Sequence, residues 1–112
     1  MNPFGHTVTE HGDHVRLAVV GDVDFAAYPV LAARIQTLIE EDRRAVVVDC
    51  AGVTFLDSMG LRALVEGLRA ADDRGQGFAL AAPSPPVLRV MELSGTTELF
   101  PIRDPEPGET GS

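Results

Sequence analysis

The chain has no lysine and no tryptophan, one tyrosine and one cysteine among its 112 residues. A single thiol, Cys50, excludes an intrachain disulfide and fits a reducing compartment. With no basic neighbour in sequence, Cys50 is expected to be an inert core thiol. The missing lysines leave nine arginines against seventeen acids and a formal net charge of −8. That balance argues against a nucleic acid or an anionic membrane surface as partner. No apolar run reaches membrane-spanning length and no signal peptide is visible, so a soluble, cytoplasmic protein is expected. There is no glycine-rich phosphate cradle of the P-loop type. The three histidines, His6, His11 and His14, lie together near the N-terminus without a cysteine beside them, a poor set for a metal. Neither a metal nor a cofactor is expected.

What is present is the composition of one globular domain, 45% apolar residues over a length that can bury one core but not two. Residues 6 to 21 predict a β-hairpin. Thr7-Val8-Thr9 is β-prone, Gly12-Asp13 supplies a turn, and Val15, Leu17 and Val19 alternate with Arg16 and Ala18. The second strand is expected to stop at Gly21-Asp22-Val23-Asp24. Leu31, Ile35, Leu38 and Ile39 then recur at helical spacing, and Pro29 places the start of that helix no earlier than about Ala27.

Ala45 to Cys50 lacks alternation, as a strand covered on both faces should. A short turn at Gly52 is expected next, then Val53-Thr54-Phe55-Leu56. The following helix carries Leu61, Leu64, Val65 and Leu68 on one side and Arg62, Glu66, Arg69 and Asp73 on the other, with Gly75 past its end. Gly77 to Ala82 reads as another buried strand. Ser84-Pro85-Pro86 is a cap with proline in the first turn of a short helix through Val87, Leu88 and Met91 to Gly95. Glu98 to Ile102 predicts an edge strand, where Pro101 is tolerated. The domain is expected to span residues 1 to 102, and from residue 103 to 112 the chain reads as a disordered acidic tail. The order implies a small α/β sandwich: a mixed four- to five-stranded sheet with an N-terminal hairpin and three helices packed on it.

The chemistry gathers at Asp22, Asp24, Asp57 and Ser58. Each group ends a strand and leads into a helix, so both loops should emerge at one edge of the sheet, where α/β folds receive ligands and partners. Spacing leaves two readings open. Asp57 or Ser58 caps the helix, as Asp and Ser do regardless of function; or Ser58 is a hydroxyl whose phosphate would sit against the helix N-terminus. No arginine stands beside Ser58 in sequence as an obvious phosphate clamp. The missing lysine argues against a receiver domain, despite Asp49 after Val46-Val47-Val48. A serine hydrolase fails because Leu56-Asp57-Ser58-Met59-Gly60 lacks the glycine of a nucleophile elbow and no histidine base accompanies it.

These residues resemble the STAS-domain anti-sigma factor antagonists of bacteria, over about residues 6 to 102. The likeness rests on Gly21-Asp22-Val23-Asp24, on Val47-Val48-Asp49 with Val53-Thr54-Phe55-Leu56-Asp57-Ser58-Met59-Gly60-Leu61, and on Ser84-Pro85 with Glu92-Leu93-Ser94-Gly95. The resemblance implies a binding module without catalysis of its own. Ser58 would be phosphorylated by its partner, an anti-sigma factor that is also a serine kinase holding ATP and magnesium. The dephosphorylated form would bind that partner and release a sigma factor, and a serine phosphatase would restore it. Asp22, Asp24, Asp57, Met59, Gly60 and Leu61 would form the partner-binding surface. Met59 stands where the family often has a second Ser or Thr, which leaves one candidate hydroxyl. The family often adds a C-terminal helix, here expected to be short or missing. The resemblance also permits a nucleotide-sensing STAS module, although the site is rich in Asp and has no lysine to pair a phosphate.

Overall fold

A computed structural model describes residues 1–103. Five strands and three helices alternate along the chain: β1 (Gly5–Glu10), β2 (His14–Val23), α1 (Tyr28–Glu41), β3 (Ala45–Leu56), α2 (Ser58–Asp73), β4 (Phe78–Ala81), α3 (Pro85–Ser94) and β5 (Ile102–Arg103). They form one mixed sheet in the order β1-β2-β3-β4-β5. Only β1 is antiparallel to its neighbour, paired from Gly5↔Val20 to Glu10↔Val15. The remaining pairs are parallel, each joined through a helix. The expected α/β architecture is observed, with five strands rather than four.

One core holds the layers together. Val15, Leu17 and Val19 on β2, Val46 and Val48 on β3, and Leu80 on β4 meet Leu31, Ile35 and Ile39 of α1 and Leu61, Leu64 and Leu68 of α2. Val87 and Met91 bring α3 into the same cluster. Cys50 lies within it, and burial pushes its thiol up to about 12, so it is inert as expected. The other face of the sheet carries buried polar side chains: His14, and Arg16, which donates to Asp49 Oδ2 through Nε at 3.2 Å and Nη2 at 3.0 Å. Asp49 is thus committed to an ion pair within the sheet and does not join the acids at the strand ends. At the opposite end from the loops after β2 and β3, Arg44 joins Asp42 and Glu10, and the Arg44 guanidinium holds Asp42 down to about 2.

The second strand ends at Val23, inside the expected Gly21-Asp22-Val23-Asp24 stretch, after irregularities between Ala18 and Val20 and between Gly21 and Asp22. Three expectations are corrected. Gly52 is not a turn. It lies inside a single twelve-residue strand, opposite Val20, and a Cβ there would stand 2.6 Å from Val20 Cγ1. Glycine is needed here because the neighbouring strand leaves no room for a Cβ. Ser84 precedes α3 but does not cap it with its side chain; the buried hydroxyl donates to the Val53 carbonyl at 2.7 Å and ties the β4–α3 loop to β3. The last strand is only Ile102–Arg103, because residues 97–99 form a turn that plants Phe100 in the core. Arg103 therefore belongs to the sheet, paired with Ala81 and bonded to Asp13 at 2.9 Å, rather than opening a tail. The remainder of the expected tail, and the question of a C-terminal helix, lie outside the described residues.

Candidate functional site

Because β2 and β3 are parallel, their carboxyl ends emerge side by side. Asp57 locks them together. It is the N-cap of α2, and its Oδ1 accepts from the backbone N–H groups of Met59 and Gly60, both at 2.9 Å. Its Oδ2 accepts from the N–H of Phe25 in the β2–α1 loop at 3.0 Å, and its own N–H donates to the Val23 carbonyl at 3.2 Å. One carboxylate therefore satisfies two helix-terminal donors and fixes the neighbouring loop.

Asp24 does the same kind of work in the neighbouring loop. Its Oδ1 accepts from Ala26 N and Ala27 N at 3.0 and 3.1 Å, setting the turn that leads into α1. Asp22 accepts from the Thr54 hydroxyl at 2.7 Å and from Asn2 N at 3.2 Å. These two bonds, the hydroxyl first, hold its carboxyl below the usual carboxylate range. Asn2 and Pro3 lie across this strand end. A Cβ on Gly21, whose φ is +82°, would stand 1.9 Å from the Pro3 carbonyl oxygen.

Ser58 is the first residue of α2 and is exposed. Among the described residues no hydrogen bond engages its hydroxyl. Asp57 holds the cap, so Ser58 has no capping duty. Met59 is half-buried beside it. Gly60 and Leu61 lie beneath the surface. A Cβ on Gly60 would meet the Val23 carbonyl oxygen at 2.4 Å, and Leu61 is 8% exposed in the core. These two residues shape the site from below and offer no side chain to a partner's surface, contrary to what the resemblance implied for Leu61.

Two aromatic residues that sequence reasoning passed over stand at this edge. Phe25, held by Asp57, is 71% exposed, and Phe55, paired with Asp22 in the β2–β3 register, is 48% exposed. Both rings are exposed at the strand ends that carry Ser58 and the three acids. The available signal was their position, Phe25 directly after Asp24 and Phe55 two residues before Asp57. A third group links the helices. Tyr28 at the start of α1 donates its hydroxyl to Glu66 Oε1 at 2.5 Å, and Arg62 donates from Nε to Glu66 Oε2 at 3.2 Å. The Tyr28 bond lowers the Glu66 carboxyl, while Glu66 raises the Tyr28 phenol.

The His11 and His14 rings stack 4.5 Å apart, and His14 bonds Asp13 at 2.7 Å. Among the described residues no group of three or more His, Cys, Asp or Glu is arranged to hold a metal ion. Among them, too, no helix is long and apolar enough to cross a membrane.

Known proteins resemble this chain in sequence and in fold. An anti-sigma-B factor antagonist of Staphylococcus epidermidis is 26% identical over 104 residues, covering 93% of this chain and 95% of its own. The crystal structure of an anti-sigma factor antagonist from Mycobacterium paratuberculosis superposes with a TM-score of 0.79 at 25% identity, over 97% of this chain and 92% of that one. The Bacillus cell fate determinant SpoIIAA in its phosphorylated form shares the fold with a TM-score of 0.72 at 20% identity, over 95% and 96% of the two chains. A family model described as Mlab, STAS domain, matches residues 6–101, and the chain belongs to the STAS domain family.

Proposed function

We propose that this protein is an anti-sigma factor antagonist, a regulator without catalysis of its own, switched by phosphorylation of Ser58. In the unmodified form it binds an anti-sigma factor and frees a sigma factor. The observation that carries the reading is the division of labour at the start of α2. Asp57 takes both capping bonds, and the exposed Ser58 hydroxyl is left for chemistry. Relatives are named as antagonists of anti-sigma factors, and a protein of the same fold has been solved phosphorylated.

The phosphate donor in this reading is ATP with magnesium, both held by the anti-sigma factor acting as serine kinase. The γ-phosphoryl group passes to Ser58 Oγ, the hydroxyl proton is lost and ADP leaves. A serine phosphatase hydrolyses the ester and restores the hydroxyl. The contact surface would comprise Asp22, Asp24, Asp57 and Met59 with Phe25 and Phe55, over the buried Gly60 and Leu61. Two exposed rings framed by acids suit a partner with apolar sockets and a basic rim.

The test is incubation with an anti-sigma factor of the serine-kinase type and Mg-ATP. One phosphate on the wild-type protein and none on Ser58→Ala is expected, with the Ala variant binding the partner permanently. Failure of Ser58→Ala to bind a partner that the wild type binds would refute the assignment. Saturable binding of GTP or ATP by the isolated protein would favour a nucleotide sensor instead, against the acidic, lysine-free character of this edge.

A further inference from the structure

A phosphate on Ser58 would stand at the edge that carries Asp22, Asp24 and Asp57, and α2 carries a positive charge a single turn away. The inference rests on Ser58 being the phosphoacceptor. Arg62 stands four residues after Ser58, which puts their Cβ atoms about 5–6 Å apart on one helix face. Both residues are exposed. Helical side chains lean toward the helix N-terminus, so the natural lean of Arg62 is toward Ser58.

In the unmodified protein the guanidinium is turned the other way. Its Nε donates to Glu66 Oε2 at 3.2 Å, and its central carbon stands 5.9 Å from the Tyr28 ring centroid. That hold is weak, because the Arg62 and Glu66 side chains are 62% and 43% exposed. Glu66 does not depend on it, since the Tyr28 hydroxyl donates to its other oxygen. Arg62 can leave without stranding a partner.

We propose that Arg62 is the internal counter-ion of phosphorylated Ser58, turning from Glu66 and Tyr28 to the phosphate one turn back. A phosphate dianion offers more charge and more acceptor oxygens than a carboxylate, and the planar guanidinium fork matches it in two-bond geometry. Asp22, Asp24 and Asp57 supply no cation at this edge. The only other arginine on α2, Arg69, lies about two turns beyond Arg62. Captured by Arg62, the phosphate lies along α2, and the α1–α2 link falls back on the Tyr28–Glu66 bond. A partner then meets a bulky group whose charge is partly balanced, so bulk carries more of the block.

The test inserts phosphoserine at position 58 during translation, so that no kinase is required. Phosphorus NMR then reads the second ionisation of the phosphate, near pH 6, in the otherwise wild-type protein, in Arg62→Gln and in Arg69→Gln. The phosphate is expected to ionise about 0.2–0.4 pH unit higher in Arg62→Gln than in the other two, the size of a helical ion pair. Equal values in all three, equal rises in both variants, or any other order would overturn the proposal. If a serine kinase fails to modify the unphosphorylated protein, the phosphoacceptor reading falls, while this titration stands on its own result.

Discussion

Asp57 and Ser58 are adjacent, polar and suited to the same cap, yet they do different work. Asp57 holds Met59, Gly60 and Phe25 by their backbone N–H groups, whereas the Ser58 hydroxyl points to water. Asp57→Ala should therefore lose about 1–2 kcal/mol, at the upper end for a lost cap. Ser58→Ala should stay within about 0.5 kcal/mol of wild type, as a surface change that breaks no bond. Urea denaturation of the two variants measures both, and equal losses would mean that Ser58 shares the cap. Sequence alone could narrow the cap to this pair but could not choose, because either side chain reaches the N2 and N3 donors. The choice is made by Phe25, which occupies the second Asp57 oxygen from another loop.

At the scale of elements, helical spacing was the most legible signal. Leu61, Leu64 and Leu68 face the core, while Arg62, Glu66 and Arg69 face solvent. Leu68→Ala should cost roughly 2–5 kcal/mol as a buried truncation, and Arg69→Ala well under about 1 kcal/mol. Equal losses in thermal or chemical unfolding would contradict this orientation of α2. What the sequence hid were contacts made at a distance. Gly52 reads as a turn until Val20 is seen against it, and Ser84 reads as a helix cap until the Val53 carbonyl takes its hydroxyl. The strand ends blurred for the same reason, since a parallel neighbour, not local propensity, decides how far pairing runs. A further element-scale expectation concerns the turn between α1 and β3. The Asp42 carboxyl is held at about 2 chiefly by hydrogen bonds from the Arg44 side chain, so folding keeps it ionised where the unfolded chain binds a proton. Its stabilising effect is complete above an unfolded value of about 3.9 and disappears as pH falls toward 2. Melting temperature should fall across that window, and Arg44→Gln should flatten the fall. An unchanged slope in the variant would remove Arg44 as the cause.

Across the whole molecule, one end of the sheet is tied by Arg44 with Asp42 and Glu10, and the other presents Ser58 among acids and exposed rings. Phosphorylation adds about −1.5 to −2 charges at that second end. The N-terminus of α2 favours the addition by roughly 0.3–1 kcal/mol. Nearby acids oppose it, since two unit charges 4 Å apart cost about 4 kcal/mol at an effective dielectric of 20. The backbone has little freedom to respond. Asp57 pins three N–H groups, and Gly60 sits against the Val23 carbonyl with no room even for a methyl group. The fold should therefore remain, while an interface closing over Ser58, Phe25 and Phe55 is blocked. A loss of about 3 kcal/mol there weakens binding by more than 100-fold. Amide NMR spectra of the phosphorylated and free protein should differ only in the loops around Asp22 and Ser58, at the start of α1 near Tyr28, and along α2 as far as Arg62 and its partner Glu66. Changes spread through β4 and α3 would instead mean that the phosphate acts by remodelling the core, and a local switch would have to be abandoned.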